Sequence, residues 1–168
     1  MKRVKMVLPL VALLCMAAIP VMAQSKAQAS FDKLKTLVGE WEGTAAAGVP
    51  SKISYRVVSN GSVLEETMKN GTEDTMVTIY HLDGDRLMVT HYCGAGNQPR
   101  MVAMPDPSKL NVFAFKFQDA TNLSSSQAGH MRDLVLTLVD EAHITQQWTW
   151  REKGKKDKME LFKLTRKK

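Results

Sequence analysis

From residue 39 onward the chain alternates. Apolar and polar side chains change places at every second position, and glycine- or asparagine-bearing turns break the pattern about every ten residues, the spacing of short antiparallel strands. Phe113, Phe115 and Phe117 share one face of their stretch, and Leu134, Leu136 and Leu138 do the same opposite Asp133 and Thr137. Near the end, Ile144, Trp148 and Trp150 oppose His143, Thr145, Gln147 and Thr149. The pattern predicts strands near 40–46, 52–58, 62–69, 74–82, 86–93, 100–104, 109–117, 130–139, 143–152 and 158–167. Asn60-Gly61, Asn70-Gly71 and Asp83-Gly84 supply the positive-φ residues of tight hairpins. That reading also outweighs glycosylation at the Asn60 and Asn70 matches. Residues 105–108 and 153–157 are turn-like, and 118–129 is a long polar loop. Before the strands, 30–38 reads as a single helix: Ser30 is its N-cap, Phe31, Leu34, Leu37 and Val38 lie on one face, and Gly39 stops it. Ten strands in sequence favour an all-β, up-and-down antiparallel barrel with the short helix capping one end, because closure removes exposed edges. A two-sheet sandwich is the alternative.

Composition sharpens this picture. The 168 residues suit one domain, and a hydrophobic share of 44% is too high for a disordered chain. The net charge of +6 is unevenly placed: three basic residues and no acid in 1–23, nine basic and three acidic in 151–168, eleven basic and fourteen acidic between. A nucleic-acid surface is therefore not expected. Residues 1–23 have the parts of a secretory signal: Lys2, Arg3 and Lys5, an apolar run from Met6 to Ile19, and Ala23 before Gln24. The run is shorter than the roughly 20 residues that span a bilayer. The expected mature chain is 24–168, exported to the periplasm or beyond, without stable membrane insertion. Cys15 would leave with the leader, so Cys93 stands alone and no internal disulfide is expected. The basic tail, interleaved with Met159, Leu161, Phe162 and Leu164, reads as a last strand with a charged outer face.

The run from Phe31 to Gly43 joins a short helix to Gly39-Glu40-Trp41-Glu42-Gly43 at the first strand. It resembles the opening of the calycin barrels: lipocalins, fatty-acid-binding proteins and nitrobindins. More narrowly, the chain resembles exported bacterial lipocalin-like proteins grouped as DUF1579, which the block 90–101 also fits. The resemblance implies a barrel that binds apolar or planar small molecules. It also implies that Trp41 packs at the closed floor under a basic residue from a late strand, Arg151 or Arg166. Nitrobindins hold haem through a histidine, which draws attention to His143 and His130, though neither sits in a supporting motif.

The candidate chemistry is sparse. No nucleophile elbow, zinc-protease motif or phosphate loop is present. Glu65 and Glu66 are adjacent and face opposite ways on a strand, so they cannot act as a pair on one substrate. His91 and Cys93 lie two apart on one strand face. An even hairpin loop after Leu82 sets Tyr80 beside Val89 and Thr78 beside His91, which turns His81 to the other face. Two ligands do not make a metal site. The loop 94–100 supplies two glycines and the donors Asn97, Gln98 and Arg100, read as either a self-satisfied hairpin or a rim for a polar ligand head. Met68, Met76, Met88, Met101, Met104 and Met131 suit a core or an adaptable cavity. The reading that follows is a cofactor-free, metal-free binding protein for a small hydrophobic molecule. His91, Cys93, Asn97, Gln98, Arg100, Trp148 and Trp150 are its ligand-binding candidates, and Trp41 is structural. The alternatives are an enzyme using His91 and Arg100, or an envelope-interaction protein with a filled core.

Overall fold

Period-two burial runs along the chain in the computed structural model, which describes residues 25–46, 48–103 and 110–168. The leader 1–23 with Cys15, Gln24, Met104 and the turn at 105–108 lie outside the described residues. The helix α1 spans Lys26–Lys35 and is followed by β1 (Gly39–Thr44), β2 (Pro50–Val58), β3 (Val63–Asn70), β4 (Met76–Asp83) and β5 (Arg86–Tyr92). Then come β6 (Gln98–Ala103), β7 (Val112–Thr121), β8 (His130–Leu138), β9 (His143–Arg151) and β10 (Lys158–Arg166). Every strand pairs antiparallel with the next, and β10 returns to β1, closing a ten-stranded barrel. The expected barrel is therefore the observed fold, and the sandwich is excluded.

Two local expectations are corrected. The helix begins earlier than predicted because Ser25, not Ser30, is its N-cap, accepting from the Gln28 amide at 3.2 Å. It also ends sooner: Leu37 is buried in the turn beyond it, while Val38 is exposed. The tight turn expected at Asn60-Gly61 is instead a short 3₁₀ turn, with Ser59, Asn60 and Gly61 all at positive φ. The hairpin after Leu82 follows the expected parity, pairing Tyr80 with Val89 and Thr78 with His91.

Inward side chains make one continuous core. Phe31, Leu34 and Leu37 join it from the helix side with Trp41, Leu87, Phe113 and Leu138. This end of the barrel, where β1 begins and β10 finishes, is sealed. Arg166 ties the seal together by donating to the carbonyls of Thr36 and Val38, and Trp41 Nε1 donates to Leu37 at 2.8 Å. The opposite end is open, and there the side chains change character.

Candidate functional site

Four strands carry one inward row in direct register: Tyr55 on β2, Glu66 on β3, Thr78 on β4 and His91 on β5. All four are buried. Polar residues in a barrel interior must find partners, since an unpaired buried group costs about 1–3 kcal/mol. Here Glu66 Oε2 accepts from the Tyr80 hydroxyl and from Gln146 Nε2, each at 2.8 Å. Gln146 Nε2 also donates to the Tyr55 hydroxyl, and its Oε1 accepts from Trp148 Nε1 at 2.8 Å. The Trp148 ring lies against His91, centroids 4.5 Å apart, and His91 Nδ1 is 2.9 Å from the Thr78 hydroxyl. A polar network thus crosses the barrel from β2–β5 to β9.

Burial sets the charges in this network. It pushes the Glu66 carboxyl above its ordinary value, and hydrogen bonds from Tyr55, Tyr80 and Gln146 pull it part of the way back. Burial, reinforced by the Glu66 charge, holds Tyr55 and Tyr80 well above the usual phenol value, so both remain protonated donors. His91 is pushed down to about 4 by burial, which keeps its ring neutral at physiological pH. Two network atoms have no hydrogen-bond partner, Glu66 Oε1 and His91 Nε2.

Above the network is a pocket of about 340 Å³. His91 and Trp148 lie in its lining, with Met68, Met76, Met131, Trp150 and Phe162 as walls and Asn70, Glu73, Lys158 and Glu160 among its charged and polar groups. Met131 enters through a β-bulge. The register of β8 on β9 shifts between Met131 and Asp133, so Met131 pairs with Trp150 and Leu134 with Trp148. Without the extra residue, strict alternation would set Met131 and Leu134 on opposite faces. Gly129 lets the Trp150 ring pack close, because a Cβ there would sit 2.2 Å from its Cζ2.

The structure brings together three of the sequence candidates, His91, Trp148 and Trp150. Cys93 is half-buried in the turn after β5, where burial raises its thiol above the ordinary value. Asn97 is buried and donates to the Gly129 carbonyl at 3.0 Å. Gln98 donates to Gly96 and accepts from Thr121, so this loop spends its donors largely on its own surroundings. Arg100 points outward and forms a two-pronged ion pair with Asp119 at 2.6 Å. Its neighbours Pro99 and Met101 are buried, and strand alternation then leaves Arg100 on the outside. His143 is exposed at the sealed end against Asp140, His130 packs on Phe117, and His81 bonds the Leu82 carbonyl. Among the described residues, no three His, Cys, Asp or Glu side chains cluster as a metal site. Glu66, Tyr55 and Gln146 were not among the candidates, although each occupies an inward position of its strand.

A second cleft, about 600 Å³, lies at the sealed end beside Lys33, Asn111, Asp140 and Arg166. In its lining Arg166 donates to backbone carbonyls and Asp140 is paired with His143. The open-end pocket is the better site because it alone joins an apolar lining to a buried, unpartnered polar atom.

No family model and no curated protein matches this chain, so kinship with DUF1579 is not shown. Solved structures do match. A protein of unknown function from the DUF3598 family of Nostoc punctiforme aligns with a TM-score of 0.54 and 15% identity, over 79% of this chain and 48% of its own. The chain thus spans about half the length of that protein. Rv2717c from M. tuberculosis aligns with a TM-score of 0.56 and 12% identity, over 83% of this chain and 98% of its own. At such identities the likeness is one of architecture: the chain has a lipocalin-like β-barrel fold.

Proposed function

We propose that this protein is an exported binding protein that holds a small, mainly apolar molecule in the open end of its barrel, without catalysis. The observation that carries the reading is the pocket itself. Thioether and indole walls surround about 340 Å³, and His91 in its lining has a buried Nε2 with no partner in the protein. Ligand pockets commonly start near 300 Å³, are largely apolar, and place a few polar atoms to orient their contents. Methionines suit such walls because their flexible side chains adapt to shape. Export rests on the leader-like composition of residues 1–23. An enzyme built on His91 and Arg100 is disfavoured, because the two residues lie on opposite faces of the barrel wall. Native mass spectrometry of protein recovered from its own cell envelope tests the reading. The expected spectrum shows a chain beginning near Gln24 with a small molecule attached. A chain that retains 1–23, or one that stays bare in the presence of envelope extract, would overturn it.

A further inference from the structure

We propose that the β3–β5 wall of the pocket binds a soft monovalent metal ion of the copper(I) and silver(I) class on the thioethers of Met68 and Met76 and the imidazole of His91. The inference goes beyond the binding reading above, because it needs these three side chains and no apolar ligand.

Strand pairing brings the donors together. Met68 on β3 and Met76 on β4 are direct partners, and both line the pocket. Side chains opposed in this way have Cβ atoms about 4.5–5.5 Å apart, so two long, flexible thioethers can reach one ion. His91 enters from β5. Its direct partner is Thr78, two residues along β4 from Met76 on the same face, which makes His91 the diagonal neighbour of Met76. The Met76 sulfur lies close to the turn after β5, where a Cβ on Gly94 would be 3.9 Å from it. Met68 and His91 are buried, and His91 Nε2 has no hydrogen-bond partner.

The site does not depend on which ring nitrogen carries the proton in the free protein. The Thr78 hydroxyl can donate or accept, so its 2.9 Å contact with Nδ1 is kept in either tautomer. An ion that binds Nε2 selects the ring protonated on Nδ1.

The donor types set the class of ion. Thioethers are soft and uncharged, and they favour copper(I)-like ions over calcium or magnesium. The acids of the lining are engaged elsewhere: Glu73 accepts from Asn70 Nδ2 at 3.2 Å, and Glu160 accepts from the Ala46 amide at 3.1 Å. Lys158, the single cation among the described lining residues, stands on β10, outside the three-strand wall.

Silver(I) nitrate titrated into the purified protein in chloride-free buffer at neutral pH tests this, read by native mass spectrometry and by carbon-13 spectra of the methionine methyl groups. The expected result is one silver(I) per chain, both in the parent and in Cys93→Ser, which removes the lone thiol. The methyl signals of Met68 and Met76 should shift. That of Met101, a core methionine outside the pocket lining, should not. The volume-conserving Met68→Leu and Met76→Leu, and His91→Phe, should each weaken silver(I) by about tenfold or more, since even groups that only support a ligand are worth about 10–100-fold. Zinc(II) should bind far more weakly than silver(I). Loss of silver(I) in Cys93→Ser would assign the ion to the thiol and overturn the proposal. So would methyl shifts confined to the exposed Met159, affinity unchanged in both leucine variants, or zinc(II) bound as tightly as silver(I). The methyl shifts are read on the parent protein, so the test holds even if a variant fails to fold.

Discussion

The Arg166 guanidinium lies 4.2 Å from the centre of the Trp41 ring, and the two residues are direct partners across the β1–β10 pairing. Of the two arginines that the resemblance had offered for this role, Arg166 fills it. Arg151 instead pairs with Asp157 on the outside. The contact joins three things at one point: a cation–π stack, the seam of the barrel and the carbonyls at the end of α1. Trp41→Ala is expected to cost about 3–5 kcal/mol, the range for deleting a buried aromatic. Arg166→Lys should cost about 2 kcal/mol, because an ammonium cannot serve the same carbonyls in a fork. Denaturant melts of both variants check this, and an unchanged midpoint for Trp41→Ala would remove the floor assignment.

Gly43 is the second glycine of the Gly-x-Trp-x-Gly run, and it explains why that position is small. A Cβ there would lie 1.9 Å from the Lys163 carbonyl oxygen on β10. Backbone cannot swing away as a side-chain tip can. Gly43→Ala is expected to destabilise the protein by about 2 kcal/mol or more, by overpacking at the seam. Thermal melts of Gly43→Ala beside Gly154→Ala, where a Cβ meets nothing within 4 Å but φ is positive, separate contact from backbone strain.

The buried imidazole predicts a specific acid sensitivity. In the unfolded chain His91 takes a proton near its ordinary value of 6.5, whereas in the folded protein it resists until about 4. Between those values the unfolded state binds more protons, so stability is present above about 6.5 and is lost as pH falls towards 4. The loss attributable to His91 is at most about 3 kcal/mol, at 1.36 kcal/mol per pKa unit. Glu66 works the other way: its raised carboxyl contributes most below its ordinary value and loses that contribution as pH rises. Comparing unfolding free energies of the parent and His91→Phe across pH 4–7 isolates the histidine. The variant should show the shallower acid slope, and parallel curves would contradict the assigned shift.

Cys93 should be slow to label but not inert. Its thiol is half-buried, and burial, together with the nearby Glu73 charge, favours the unreactive protonated form. A bulky maleimide is expected to modify Cys93 about tenfold faster in denaturant than in the native protein. Peptide mass mapping reads the site directly. Equal rates would mean that the turn after β5 leaves the sulfur open.

The ten strands were legible because one barrel face is buried and the other solvated, so period-two alternation survives in nearly every segment. The parity of β4 on β5 was legible for the same reason, since Gly84 and Asp85 make a two-residue loop between paired Asp83 and Arg86. The outward direction of Arg100 was present in the alternation too, since Met101 marks the apolar parity. The donor-rich appearance of the loop drew attention away from it. Two features could not be read. Alternation identifies Glu66 and Gln146 as inward, but it does not say that strands far apart in sequence, β3 and β9, bring them within 2.8 Å. Nor does it show the bulge at Arg132, which admits Met131 to the pocket through a change of register that no residue type announces.

Closure through β1 and β10 also has a consequence in time. Trp41 and Arg166 meet across nearly the whole folded chain, so the final pairing carries the largest loop-closure entropy of any in the molecule. The hairpins form between near neighbours, and the seam should therefore zip last, as in other slow-folding, high-contact-order topologies. Until it does, two raw strand edges lie open to pairing with other chains. The hazard for this protein is thus greatest in the interval before the last strand docks, and conditions that lengthen that interval should favour aggregation over native barrel.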